Sequence, residues 1–157
     1  EIPTPNGGID DFDEAYFLFY GRSHNPSETQ TTNYIKMHGR KIYEFALNNV
    51  PQAMKSALDK SKIGIDQIKK VLIHQANEKM DEAIIERFYK LYDKISPEGI
   101  MPMSIHKLGN SSVATVPTLF DLILDNKIRG HQINEGDYIL LASVGAGMNI
   151  NAIVYQY

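Results

Sequence analysis

The run Val71-Leu72-Ile73, followed at once by His74-Gln75-Ala76-Asn77, constrains the fold most. Three consecutive apolar residues, two of them β-branched, place apolar side chains on both faces of an extended segment. Such a strand must be covered on both sides. Helix-period patterns flank it. Ile42, Phe45, Ala46, Val50, Ala53, Met54, Ala57 and Leu58 recur at spacings of three and four before it, and Met80, Ala83, Ile84, Phe88 and Leu91 do so after it. Pro51 falls inside the first pattern, where it predicts a kink or a restart, because proline donates no N–H and disfavours helical geometry at Val50. Asp66 is placed as a helix cap and Asn77 as the cap of the second helix.

Downstream, "IMPMSIHKLGN" reads as another strand ending in a Gly-Asn turn. Val113, Val116, Leu119, Phe120, Ile123 and Leu124 mark a third helix, with Pro117 tolerable near its start. "GDYILLASVGAGMNINAIVYQY" reads as two strands joined by a Gly-Ala-Gly turn, a hairpin. The predicted order is helix, strand, helix, strand, helix, strand, strand. This alternation argues for an α/β layered fold with a largely parallel sheet, made mixed by the final hairpin. The first 33 residues read as an irregular lead-in containing one strand-like patch, "AYFLFY", and residues 34–157 read as the domain proper.

Composition narrows the classes. The 157 residues are 43% hydrophobic and 22% charged, ordinary for a globular domain. A net charge of −3 supplies no field to draw the chain to nucleic acid or an anionic membrane. No segment approaches the ~20 apolar residues of a membrane helix. The start, "EIPTPNGGIDDFDE", has no signal-peptide pattern and no Met, as expected of a cut or processed piece. Zero Cys excludes disulfides, thiolate metal sites and a cysteine nucleophile from these residues, and is compatible with a reducing compartment. No pair of histidines has metal-ligand spacing with a carboxylate helper, so no metal site is expected. The acidic "DDFDE" at 10–14 lacks a calcium-loop pattern and reads as a solvated loop.

Three polar clusters share one address, the end of a predicted strand: His74-Gln75-Ala76-Asn77, Gly109-Asn110-Ser111-Ser112 and Gly145-Ala146-Gly147. Taken singly each is ordinary. A strand-end His is commonly a satisfied core residue, Asn after Gly a turn residue, and a glycine pair a hairpin turn. Taken together they converge, because ligands in open α/β sheets bind beyond the carboxyl ends of the strands. An imidazole N–H and an amide NH₂ can both donate to one carbonyl oxygen and stabilise an enolate as charge develops there. The glycine turn can add backbone N–H groups.

"HQANEKM", "LGNSSVATVP" and "GDYILLASVGAGM", in this order, together with "IKMHGRKIYEFA", resemble the carboxyl-terminal half of the 3-oxoacyl-ACP synthase III family. The resemblance covers about residues 34–157. It implies half of a thiolase-like α/β fold, a mixed sheet of about four to five strands with helices packed on it, ending in a β-hairpin. It implies decarboxylative Claisen condensation of acyl-CoA with malonyl-ACP in fatty-acid synthesis, in the cytoplasm. The partners implied are acyl-CoA, acyl carrier protein, an amino-terminal half carrying the nucleophilic Cys, and a second copy in a homodimer. No cofactor is implied, the thioesters being substrates. By resemblance His74 and Asn110 are the catalytic pair, and Ala146 supplies an oxyanion-hole N–H. Gly39, Ala76 and Asn77 border the pantetheine tunnel, and Lys79 helps dock the carrier protein. Without the Cys this chain alone is expected to be inactive.

There are departures. Lys79 stands where the family usually has Arg, keeping the charge but not the bidentate fork. Val144 stands where Phe is common, and "MNINAI" replaces an aromatic-glycine continuation. These point to an alternative, a divergent homologue that transfers acyl groups to another acceptor. A non-catalytic alternative is a carrier-protein docking module presenting Lys79, Arg87 and Lys90.

Overall fold

The computed structural model describes residues 18–23, 25, 27, 33–145 and 148–157. They fall into two compact units, divided between Phe45 and Ala46. In the first, β1 (Leu18–Arg22) and β2 (Asn33–Met37) pair antiparallel, with Tyr20 opposite Ile35. The strand expected in "AYFLFY" therefore exists over its second half and runs on to Arg22; its first residues, 15–17, and the acidic stretch 10–14 lie outside the described residues. The Phe19 ring stacks on His38 at 4.8 Å.

The second unit holds a three-stranded mixed sheet in the order β3 (Ile68–Ile73), β4 (Tyr138–Val144), β5 (Ile150–Gln156). β3 and β4 are parallel, and β4 and β5 form the expected antiparallel hairpin. Side chains alternate across the sheet as the apolar run demands. Val71 and Ile73 of β3 and Leu140 and Ala142 of β4 enter one core, with Val50, Met54 and Leu58 of α1 (Gly39–Ser61) and Ile84, Ile85 and Phe88 of α2 (Glu78–Lys90). Leu72 and Ile139 point the other way, to Ile123 of α4 (Thr115–Leu124) and Ile133. Helices on both faces of the sheet explain why β3 carries no polar residue after Lys70.

Three expectations are corrected. α1 runs uninterrupted through the buried Pro51 rather than restarting. Proline leaves the carbonyl four residues back without its helical donor. That carbonyl, Leu47 O, instead accepts from the Arg87 guanidinium of α2 at 3.2 Å, while the same nitrogen donates to Asn48 Oδ1 at 3.0 Å. Second, "IMPMSIHKLGN" is not a strand. Its one backbone bond to β3 is Val71 N–H to Ile100 O, 2.9 Å. Pro102 cannot donate to a ladder, and the chain turns into a short helix, α3 (Ile105–Leu108). Among the described residues the five strands fall into a two-stranded and a three-stranded sheet. Third, Asp66 caps nothing: it lies inside a 3₁₀ turn, Ile65–Gln67, whose cap position is Gly64, and its carboxylate pairs with Lys94. The Asn77 cap of α2 is present, its Oδ1 accepting from Met80 N–H at 3.2 Å.

Candidate active site

β3 ends at Ile73, and the ladder to β4 continues one residue further, His74 N–H donating to Ala142 O at 3.0 Å. This fixes the His74 backbone at the carboxyl end of the parallel pair. Gln75 follows and is completely buried. Its Nε2 donates to Pro102 O at 2.8 Å, and its Oε1 accepts from Ser104 N–H at 2.9 Å and Ile105 N–H at 3.1 Å. One amide thus ties the His74 turn to the segment that opens α3. α3 in turn leads to Gly109, whose φ of +67° is free for glycine and strained for other residues, and so to Asn110.

His74 and Asn110 line one cleft of about 800 Å³. Val113, Val116, Leu141, Val144 and Ile153 give it apolar walls, and Ser143, Asn149 and Asn151 add polar groups. Both candidate side chains are anchored on the backbone of a single residue. Asn110 Oδ1 accepts from Ser112 N–H at 2.9 Å, and His74 Nδ1 lies 3.0 Å from Ser112 O. A carbonyl only accepts, so Nδ1 carries the proton in that bond. In the neutral ring Nε2 is then a lone pair, and it becomes a donor only when the ring holds both protons. Asn110, its oxygen engaged, keeps its NH₂ as a donor with no protein partner among the described residues. Ser112 itself sits at a φ of +52°, unusual for serine, and its carbonyl also accepts from Thr115 Oγ1 at 3.0 Å. Strain of this kind persists where the surrounding structure imposes it, often at functional sites.

The remaining residues singled out in the sequence are placed as follows. Ala76 and Asn77 are exposed and outside the cleft lining; Asn77 is occupied as the helix cap. Lys79 and Lys90 are exposed on α2, whereas Arg87 spends its guanidinium on α1. Gly39 belongs to the first unit, where it opens α1. Ala146 lies outside the described residues; the turn around it is closed by Gly145 N–H to Asn149 O at 2.8 Å. Sequence reasoning missed Gln75, which quotes as part of a motif but signals nothing of its burial, and Ser112, which acts through its backbone.

Asp81, four residues past the Asn77 cap, is a further surprise. It is fully buried, and neither carboxylate oxygen has a hydrogen-bond partner among the described residues. Burial pushes its carboxyl up to about 7, the nearby Asn77 backbone opposing the rise and the Glu78 and Glu82 charges adding to it.

A mixed sheet with helices on both faces, and a His/Asn cleft at its carboxyl end, defines a thiolase-like α/β half-domain. Residues 58–157 match the family model "3-Oxoacyl-[acyl-carrier-protein (ACP)] synthase III C terminal", and the chain belongs to that family. Similar curated proteins include beta-ketoacyl-[acyl-carrier-protein] synthase III of Lactobacillus helveticus, 30% identical over 90% of this chain and 42% of that protein. The synthase III of Acaryochloris marina is 35% identical over 78% of this chain and 34% of its own length. The crystal structure of the synthase III from Thermus thermophilus superposes with a TM-score of 0.71 at 27% identity, covering 90% of this chain and 41% of that one. The chain thus spans well under half the length of the relatives it matches. No helix among the described residues is long and apolar enough to cross a membrane.

Proposed function

We propose that this chain supplies the decarboxylation half of a 3-oxoacyl-ACP synthase III active site, the nucleophilic Cys coming from sequence outside these residues. The observation that carries the proposal is the anchoring of His74 and Asn110 on Ser112 within one cleft. In the proposed reaction the Cys thiolate attacks acyl-CoA, the acyl group moves to sulfur, and coenzyme A leaves. A malonyl thioester then enters the cleft. Its C–C bond to the carboxylate breaks, CO₂ departs, and the electron pair forms an enolate. The enolate carbon attacks the acyl thioester, and the Cys thiolate leaves again.

The Asn110 NH₂ donates to the enolate oxygen. His74 presents Nε2 to the same oxygen, its Nδ1 being engaged with Ser112 O. Preorganised donors of this kind act on charge that develops only in the transition state. The Ala146 N–H serves the other oxyanion, on the acyl thioester. Ala76, Asn77 and Gly39 border the pantetheine arm, and Lys79 meets the acidic carrier protein. The substrates are thioesters, no cofactor is used, and the intact synthase works as a cytoplasmic homodimer.

The test is condensation of acyl-CoA with malonyl-ACP when the rest of the synthase is supplied. His74→Ala and Asn110→Ala should each lower the rate by about 10²-fold or more; full activity in either variant removes that residue from the mechanism. Val144 in the cleft wall favours a second reading, acyl transfer to an acceptor that is not decarboxylated. Retained acyl-CoA turnover with no CO₂ release from malonyl-ACP selects it.

A further inference from the structure

At the opposite, amino-terminal end of β3 and β4 lies a second pocket, of about 530 Å³. Lys69, Lys70, Arg129 and His131 line it, with Asn126 and Asn134 among the polar groups between them. No carboxylate is part of its lining among the described residues. Of the acids next to these residues in sequence, Asp125 pairs with Lys127 at 2.7 Å and Asp137 accepts from Asn134 N–H at 2.8 Å, while Glu98 and Glu135 are not part of the lining.

Lys70 is the informative residue. It is 9% exposed, inside a strand, and its ammonium makes one recorded bond, to Gly99 O at 2.6 Å. A buried ammonium ordinarily has an anionic partner; this one has a neutral carbonyl. His131 Nδ1 is also buried and has no partner among the described residues. Burial and then the Lys69 charge hold the Lys70 ammonium below its ordinary range, and burial and then the Lys70 charge do the same to the His131 ring. Lys69, Lys70 and Arg129 share this pocket with no carboxylate among its described lining residues.

We propose that this pocket binds a phosphate-class anion, with Arg129 and Lys69 at its mouth and Lys70 and His131 at its base. A phosphate group carries about two negative charges and several acceptor oxygens, matching several cationic donors where a single carboxylate would match one. Arg129 can meet two oxygens at once. The site is separate from the His74 cleft and does not depend on the function proposed for it.

The experiment is a titration of the chain with sodium pyrophosphate at constant ionic strength, following the His131 ring resonances by NMR, with ADP as a second arm. A saturating shift of His131 is expected. Arg129→Gln and Lys69→Gln, both at exposed positions, should each weaken binding about tenfold without altering the fold. Tighter binding of ADP than of pyrophosphate would mark a nucleotide-borne phosphate as the source, and equal or tighter binding of pyrophosphate a free one; both support the site. A drift that sodium chloride reproduces at the same ionic strength, or an affinity unchanged in both variants, overturns it.

Discussion

The two ends of the β3–β4 pair solve opposite problems with the same few residue types. At the carboxyl end the polar side chains spend most of their hydrogen bonds inside the chain: His74 and Asn110 on Ser112, Gln75 on Pro102, Ser104 and Ile105. What remains without a partner among the described residues is Nε2 of His74 and the NH₂ of Asn110. At the amino end the charges of Lys69, Lys70 and Arg129 have no carboxylate partner in their pocket. The first arrangement is tied down by hydrogen bonds within the chain; the second gathers positive charge without a carboxylate in its described lining. The difference separates a site built for positioning from one suited to neutralisation, and each can be attacked by substitution.

The largest effect is expected at Asp81, a buried carboxyl group in the first turn of α2. Its folded-state pKa of about 7 exceeds the ordinary unfolded value of about 3.9. The native state therefore holds this proton more tightly, so its contribution is fully present below the unfolded value and is lost as pH rises through about 7. Integrated over that window the loss is at most about 4 kcal/mol. Denaturant midpoints at pH 5 and pH 8 should differ for the wild type, and Asp81→Asn should remove most of the difference. An unchanged slope in Asp81→Asn would assign the pH dependence elsewhere.

Next comes Gln75→Leu, which leaves Pro102 O and the Ser104 and Ile105 N–H groups buried with a partner lost. A cost of about 2–3 kcal/mol in urea unfolding is expected. Gln75→Glu keeps the acceptor for the two N–H groups but opposes Pro102 O with a second acceptor, so it should recover only part. A cost below about 0.5 kcal/mol for Gln75→Leu, the range of surface substitutions, would show that the amide ties nothing together.

Smaller again is Ser112. Because its φ is +52°, Ser112→Gly should be tolerated, whereas Ser112→Val should cost about 1–2 kcal/mol and slow condensation. Equal behaviour of the two variants would mean that the backbone conformation is not what holds the pair. Arg129→Gln, at the other end, should leave the condensation rate unchanged, which checks that the two ends are independent.

How far these features were legible in the sequence depends on whether local pattern or distant contact decides them. The layered α/β architecture was readable because Val71–Ile73 and the helix-period runs on either side carry it locally. The Asn77 cap and the final hairpin were readable for the same reason. The strand expected at "IMPMSIHKLGN" failed because its backbone is held by the Gln75 side chain and one bond to Val71 rather than by a ladder. Pro51 lies inside α1, and the carbonyl it leaves without a helical donor is served by Arg87, 36 residues away from the proline. The His74–Asn110 pair was legible as spacing, but its shared anchor was not, since a backbone N–H and carbonyl leave no residue-type signal. Lys70 carries no signal of its burial in the sequence, because its contact is with Gly99, 29 residues away.

The central claim is that His74 and Asn110 act as one unit through Ser112. It is tested most directly by a double-variant cycle on decarboxylation of malonyl-ACP, with the rest of the synthase supplied. Residues that act as a unit are strongly non-additive. The account predicts that His74→Ala/Asn110→Ala is within about tenfold of either single variant. A double variant whose loss equals the product of the two single losses would show two independent residues and contradict it.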